Sequence, residues 1–416
     1  MHLDVAGVPV QHHLRQMRQA VPSRITPGSP AFIALIAAMM TMTAMTIDIN
    51  LPSIPATAAD FGTTVPLAQF TVTIFFAGFA VGQLVWGPLS DRIGRRPGVL
   101  IGTGIFLLAT IGCALAPDIE SLLALRTLEG FGAGAGSVLG RVIIRDLFDG
   151  VEMARILSLA LAAFITAPIV APSIGAVILT FASWRWIYGF LAIYGLVILL
   201  LAALLLEESR KEPVAGGQGL AGLLRGFAAV FRDRRSRAWA GVVVLCFGTL
   251  TVYLTNAPAV LMQAYGLGPG AFGVAFALVA VCFSGGNLLN ARLVRRLPLP
   301  VLVVHAQAAA ALGTALALGV AASGLGGVWG LVAAMGLFFG AFGLITANAT
   351  TLALQPHGSA AGAATSALGF AQTVVPAMLG GAVALLYDGT ALPMLAAILG
   401  LFALGWLFAR AAPSPR

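Results

Sequence analysis

Apolar residues run along this chain in long stretches, not at the 3.6- or two-residue spacing of a half-buried element. Twelve stretches stand out: 31–53, 66–88, 98–117, 121–143, 155–180, 185–206, 238–264, 271–291, 300–321, 327–352, 360–386 and 390–409. Each has about twenty residues or more, the length a helix needs to cross the hydrocarbon core of a bilayer. A membrane β-barrel would instead alternate apolar and polar positions over segments of about ten residues. The pattern therefore predicts an all-α membrane protein with twelve transmembrane helices. Composition agrees, with 59% hydrophobic and only 9% charged residues, where soluble domains carry about 25% charge.

The polar positions between the stretches add orientation. The net charge of +8 could suggest a nucleic-acid partner, but its distribution points elsewhere. With the N-terminus placed in the cytoplasm, 21 of the 23 basic residues fall on that side, in the tail, the even-numbered turns, the long central loop and the C-terminus. Arg126, inside a stretch, and Arg185, at a helix end, are the exceptions. This is the positive-inside asymmetry. It implies an even helix count with both termini cytoplasmic, excludes nucleic acid as the expected partner and makes the bilayer the partner instead. Residues 1–30 lack the short apolar core of a cleavable signal peptide. Cys113, Cys246 and Cys282 all fall in apolar stretches, and the five histidines are scattered, so no metal site is expected.

The longest polar stretch, 207–237, separates two sets of six helices. The organisation expected is a cytoplasmic tail at 1–30, a bundle at 31–206, a linker at 207–237 with a surface helix near 219–232, and a second bundle at 238–416. The halves resemble copies. Arg92-Ile-Gly-Arg95-Arg96 recurs as Arg292-Leu-Val-Arg295-Arg296, and the Pro55/Pro66 spacing recurs as Pro258/Pro269. Paired six-helix halves are a transporter arrangement in which substrate binds between them at mid-membrane. The chain also has 50 glycines, which lets helices pack closely where lipid gives them no hydrophobic drive to associate.

Four motifs carry a family resemblance. Gly87-Pro-Leu-Ser-Asp91-Arg92-Ile-Gly94-Arg95-Arg96-Pro97 follows the second stretch and closely resembles the loop signature of the major facilitator superfamily. Asp48-Ile-Asn50-Leu51-Pro52-Ser-Ile-Pro55 looks like the D-x-x-L-P-x-x-P signature of the Bcr/CflA drug-resistance transporters. Arg126-Thr-Leu-Glu129-Gly130 resembles the R-x-x-Q-G motif of drug:proton antiporters, with Glu129 where Gln is usual. Ala167-Pro168-Ile-Val-Ala171-Pro172-Ser-Ile-Gly175 is similar to the exporter motif of the fifth helix, and Ser183-Trp184-Arg185-Trp186 also fits. The resemblance implies the major facilitator fold of two pseudo-symmetric bundles. It implies a monomeric, proton-coupled exporter of amphipathic drugs or antibiotics in a bacterial inner membrane, needing no cofactor beyond protons. The loop residues Gly87, Asp91, Arg92, Gly94, Arg95 and Arg96 would form a conformational latch. Its second copy has Ala291 in place of Asp91 and is expected to be degenerate. Pro168, Pro172 and Gly175 would act in gating.

Asp48, Arg126 and Glu129 lie within apolar stretches, where a charge must face a cavity or a partner. Asp48 and Arg126 are each about five residues, or roughly 8 Å, from the outer helix end. A structural ion pair is one explanation. The other is proton coupling: arginine does not deprotonate in a protein, whereas a carboxylate can be poised by burial and by a nearby arginine. The expectation is Asp48 or Glu129 as proton site with Arg126 tuning it, the two acids titrating jointly if coupled. Asn50, Tyr253, Asn256 and Gln372 are candidate cavity residues. Within transport, the rivals are metabolite export and symport. A membrane enzyme would need a convergent catalytic set, and a sensor a soluble output domain; neither is visible.

Overall fold

The computed structural model describes residues 26–210 and 219–413. The first 25 residues of the expected tail and residues 211–218 of the expected linker lie outside the described residues. Among the described residues the chain is helical throughout: α1 Pro30–Asp60, α2 Val65–Ile93, α3 Arg95–Leu115, α4 Ile119–Leu147, α5 Gly150–Phe181 and α6 Arg185–Leu205. Then come α7 Gly219–Arg232, α8 Arg234–Ala264, α9 Pro269–Leu293, α10 Leu299–Ser323, α11 Gly327–His357, α12 Ala361–Ala384 and α13 Leu392–Ala411. The short α7 occupies the expected surface-helix position, and the other twelve correspond to the twelve apolar stretches.

Ten of these helices are long and apolar enough to cross a membrane by length and composition. Of the two remaining spans, α4 carries Arg126, Glu129 and Arg141 among its glycines, and α5 is apolar from residue 156 to its end at Phe181. Side-chain oxygens start several helices by accepting an otherwise unpaired N–H. Ser29 accepts from Phe32 N, Asp118 from Ser121 N and Asp233 from Ser236 N.

The packing repeats. In the first half α2 and α3 pack on α4, α1 on α5, and α3 on α6. In the second half α9 and α10 pack on α11, α8 on α12, and α10 on α13. Each second-half pair is its first-half equivalent moved along by one bundle. The halves meet through α5 on α9 and α2 on α12, two contacts that the same shift exchanges. This is the two-fold arrangement expected of a duplicated transporter.

Both leading helices also depart from regular α-helical geometry beside a proline. In α1, Pro52 has no N–H to give the carbonyl of Asp48, and the chain tightens into a 3₁₀ turn at Leu51–Ser53. In α8, Pro258 is followed by a π-helical turn at Ala259–Ala264.

Small residues set the helix spacing. A Cβ at Gly130 would stand 2.1 Å from the Phe75 carbonyl oxygen on α2, and one at Gly175 would stand 2.1 Å from that of Ile49 on α1. Neither backbone can yield, because each sits inside a packed helix. Gly130→Val should therefore cost about 3 kcal/mol or more by overpacking, seen as a lowered melting midpoint and poor recovery of monodisperse protein. Gly104→Val, where nothing lies within 4 Å of the added Cβ, should leave both unchanged.

Candidate functional site

The Arg-rich turns all lie at one end of the bundle, here termed the basic end. Four groups of sequence-singled residues can be followed from there to the opposite end.

At the basic end, Arg95 opens α3 and is only 4% exposed. Its Nη1 donates to Asp91 Oδ1 at 2.5 Å and to Ser90 Oγ at 2.7 Å, and its Nε donates to Asp146 Oδ2 at 2.8 Å. One guanidinium thus ties the end of α2 to the end of α4. Glu208, past the end of α6, accepts the backbone N–H of Arg95 at 2.8 Å and of Arg96 at 3.2 Å. A carboxylate at a helix N-terminus satisfies orphan donors and complements the helix dipole. Arg210 completes the strap, its Nη1 donating at 2.9 Å to the carbonyls of Asp91 and Arg92 at the end of α2. Gly94 makes the turn at φ +104°, and a Cβ there would stand 2.5 Å from Glu208 Oε2. Gly87 lies against Val138 of α4, while Arg92 is exposed. The second copy holds no such network. Arg292, Arg295 and Arg296 are exposed, and the neutral pair Asn348 Nδ2 to Asn290 Oδ1, at 2.6 Å, joins α11 to α9.

Deeper in the N-terminal bundle, Arg126 and Glu129 are both fully buried and joined, Nη1 to Oε2, at 2.6 Å. They stand three positions apart on α4, the spacing that brings helix side chains together. Arg126 Nε also donates to the Thr71 carbonyl of α2 at 3.2 Å. Its guanidinium lies over the Phe75 ring at 4.6 Å and the Tyr188 ring at 5.8 Å, a favourable placing for a desolvated cation. Glu129 accepts from Thr110 Oγ1 at 2.8 Å, with the Cys113 thiol at 3.9 Å. The pair is therefore clamped among α2, α3, α4 and α6.

Asp48 is different. It is buried, 3% exposed, beside the break in α1. It takes part in no ion pair or side-chain hydrogen bond among the described residues. Of the two acids expected as the proton site, it is Glu129 that the Arg126 guanidinium holds.

Pro168 and Pro172 remain within an unbroken helical α5. The segment Pro172–Ala176 fits between two helices, with Gly175 on Ile49 and Pro52 of α1, and Pro172, Ser173 and Ala176 near Gly273 of α9. The motifs of α1 and α5 thus meet at the boundary between the halves. On the other half-to-half contact, Thr373 Oγ1 of α12 donates to Gln83 Oε1 of α2 at 3.2 Å.

The four cavity candidates divide. Asn50 is buried and donates to the Thr46 carbonyl at 2.9 Å. Asn256 is buried and donates to the Val252 carbonyl at 2.8 Å and the Gly380 carbonyl at 3.4 Å, so it joins α8 to α12. Tyr253 is 1% exposed, with ring centroids 5.6 Å from Phe276 and 4.8 Å from Phe339. It packs in an aromatic cluster of the C-terminal bundle, and its buried hydroxyl has no hydrogen-bond partner among the described residues. Gln372, on α12 beside Thr373, is half-exposed.

Sequence reasoning missed Asp146, Glu208 and Arg210, whose partners lie far away along the chain. It also missed Asp60, which pairs with Arg185 and accepts from Trp184 Nε1 at 3.1 Å at the end opposite the basic turns.

Comparison with known proteins decides the family. A family model described as Major Facilitator Superfamily matches residues 32–380. The chain belongs to this superfamily. An MFS-type transporter of Bacillus subtilis (strain 168), YdgK, is 32% identical over 355 residues, covering 84% of this chain and 87% of the relative. The bicyclomycin resistance protein homolog of Haemophilus influenzae is 29% identical over 364 residues, 88% of this chain and 91% of the relative. Multidrug resistance protein MdtL of Shigella dysenteriae is 28% identical over 332 residues, 78% of this chain and 81% of the relative. Among solved structures, the xylose transporter XylE from E. coli superposes with a TM-score of 0.72 at 15% identity, over 91% of this chain and 96% of that one. That likeness concerns the fold. The chain is thus a multi-span major facilitator transporter, and its kinship agrees with the Bcr/CflA-like motifs.

The asymmetry of the two loop copies in this facilitator can be tested directly. Arg95→Gln leaves Asp91 and Asp146 facing each other without their shared cation, a loss of about 3 kcal/mol for a largely buried network. Its melting midpoint in detergent should fall clearly, while Arg295→Gln, at the equivalent exposed position, should melt like the parent protein. Equal effects would remove the distinction.

Proposed function

We propose that this transporter exports small drug-like molecules in exchange for protons, with Asp48 as the side chain that carries the proton. The basic end faces the cytoplasm, as the positive-inside bias requires, and the protein resides in the bacterial inner membrane. The drug-resistance names of two relatives and the antiporter motifs of α1, α4 and α5 support the direction and the substrate class.

The observation that carries the proton assignment is the contrast between the two acids. Glu129 has an arginine, a threonine hydroxyl and a thiol around it. Protonating it would abandon a buried cation, which is costly when one partner of a sealed pair is neutralised. Asp48 has no partner to abandon. It can gain or lose a proton without breaking a contact, and it stands at the α1 break next to the α5 segment that touches the other half. A change in its charge acts where the halves meet. Arg126–Glu129 is then the fixed brace of the bundle, and Pro172 to Gly175 is the surface across which α5 and α9 rock.

The test uses everted membrane vesicles bearing an imposed pH gradient, to which candidate drugs are added. Vesicles with the parent protein should lose part of the gradient on addition of a transported compound. Asp48→Asn should reduce this response at least tenfold at equal protein level. Glu129→Gln should lower protein yield or melting midpoint yet keep the remaining transport proton-linked. Full proton-linked transport by Asp48→Asn would rule out Asp48 as the carrier.

A further inference from the structure

The sequence pattern places Arg141 on the cytoplasmic side, near the end of the fourth apolar stretch. The structure places it on α4, six residues before the helix ends at Leu147, or about 9 Å along the axis. Its surroundings define which way it faces. On α4, Gly136 and Gly140 lie against Met39 and Met40 of α1, Gly132 against Phe106 of α3, and Gly134 against Gly82 of α2. Ser137 and Arg141 occupy the face left over, between α1 and α2, which are the neighbours of α4 that also touch the other half. α4 is packed on α1, α2, α3 and α5, yet Arg141 is exposed. An exposed side chain on a helix enclosed in this way lines a crevice, here the one between the two bundles on the basic side.

The guanidinium is held in place but not neutralised. Its Nε donates to the Ser137 carbonyl at 3.0 Å and Nη2 to Ser137 Oγ at 3.1 Å, both on its own helix. No carboxylate of the described residues forms an ion pair with it. Four acids of the same half are committed elsewhere: Glu129 to Arg126, Asp91 and Asp146 to Arg95, and Glu208 to the start of α3. In the other half, residues 234 to 387 contain no Asp or Glu, and Asp233, at the start of α8, caps that helix by accepting from Ser236 N.

A fixed, water-facing arginine with spare donors suits bidentate binding of a carboxylate. We infer that Arg141 is an anion-recognition site on the substrate path, selecting small amphipathic molecules that carry one carboxylate as they enter from the basic side. The identification of that crevice as the substrate path rests on the export reading given above; the anion site itself does not.

The experiment measures equilibrium binding of radiolabelled 1-naphthaleneacetate and its neutral amide to the full-length purified protein in nanodiscs, so transport is not required. The parent protein should bind the carboxylate at least tenfold more tightly than the amide. In Arg141→Gln that ratio should fall to near one, and Arg141→Lys should restore part of it. Melting midpoints of both variants check that they are folded. Preference for the carboxylate in the parent and its loss in Arg141→Gln uphold the site even if no proton-linked export is found. No preference in the parent, or a preference that survives in folded Arg141→Gln, would overturn it. If Arg141→Gln does not fold, Arg141→Met is read in its place, with Arg141→Lys again expected to keep part of the preference.

Discussion

Placing an ionised side chain at the centre of a bilayer costs at least about 2.5–3.5 kcal/mol, even on the most permissive scales. That cost organises this chain. Arg126 meets it with Glu129, the Thr71 carbonyl and two aromatic rings, all inside one bundle. Arg95 meets it with two carboxylates at the membrane edge, and Glu208 with the unpaired amides that begin α3. These contacts join α2, α3, α4 and α6 into a unit that can move as one body. Close glycine contacts do the rest, since lipid adds no hydrophobic drive for helices to associate.

Against that background two residues stand apart, one in each half of the bilayer. Among the described residues, Asp48 is a buried carboxylate without a partner, and Arg141 is an exposed arginine that no acid neutralises. Transport needs groups of this kind, because a side chain already satisfied by its own bundle has little to offer a proton or a substrate. Both lie where one half faces the other, Asp48 beside the Ile49–Gly175 contact and Arg141 on the open face of α4. The C-terminal half, free of acids between residues 234 and 387, supplies packing and neutral polar contacts such as Asn256 to Gly380.

Much of the fold could be read from the chain. Apolar run length marks the spans, and the recurring Arg-x-x-Arg-Arg turn marks the duplication, because both are local properties of sequence. The Arg126–Glu129 pair was legible for the same reason: three residues on one helix must lie close. Asp146, Glu208 and Arg210 were not, because their contacts depend on where α4 and the end of α6 arrive in space, and no periodicity links them to Arg95. Arg141 was legible only as a charge on the cytoplasmic side, because counting basic residues by side does not show which face of a helix they occupy. The packing of Tyr253 on Phe276 and Phe339 was not legible either, because it too depends on helices far apart in sequence.

The decisive question is which acid changes its protonation state. Infrared difference spectroscopy on the purified protein, titrated from about pH 5 to pH 9, resolves a protonated carboxyl band that appears and disappears with pH. With Asp48 as the free acid and Glu129 clamped by Arg126, that band should vanish in Asp48→Asn and persist in Glu129→Gln. A titrating band that survives in Asp48→Asn and is lost in Glu129→Gln would contradict it.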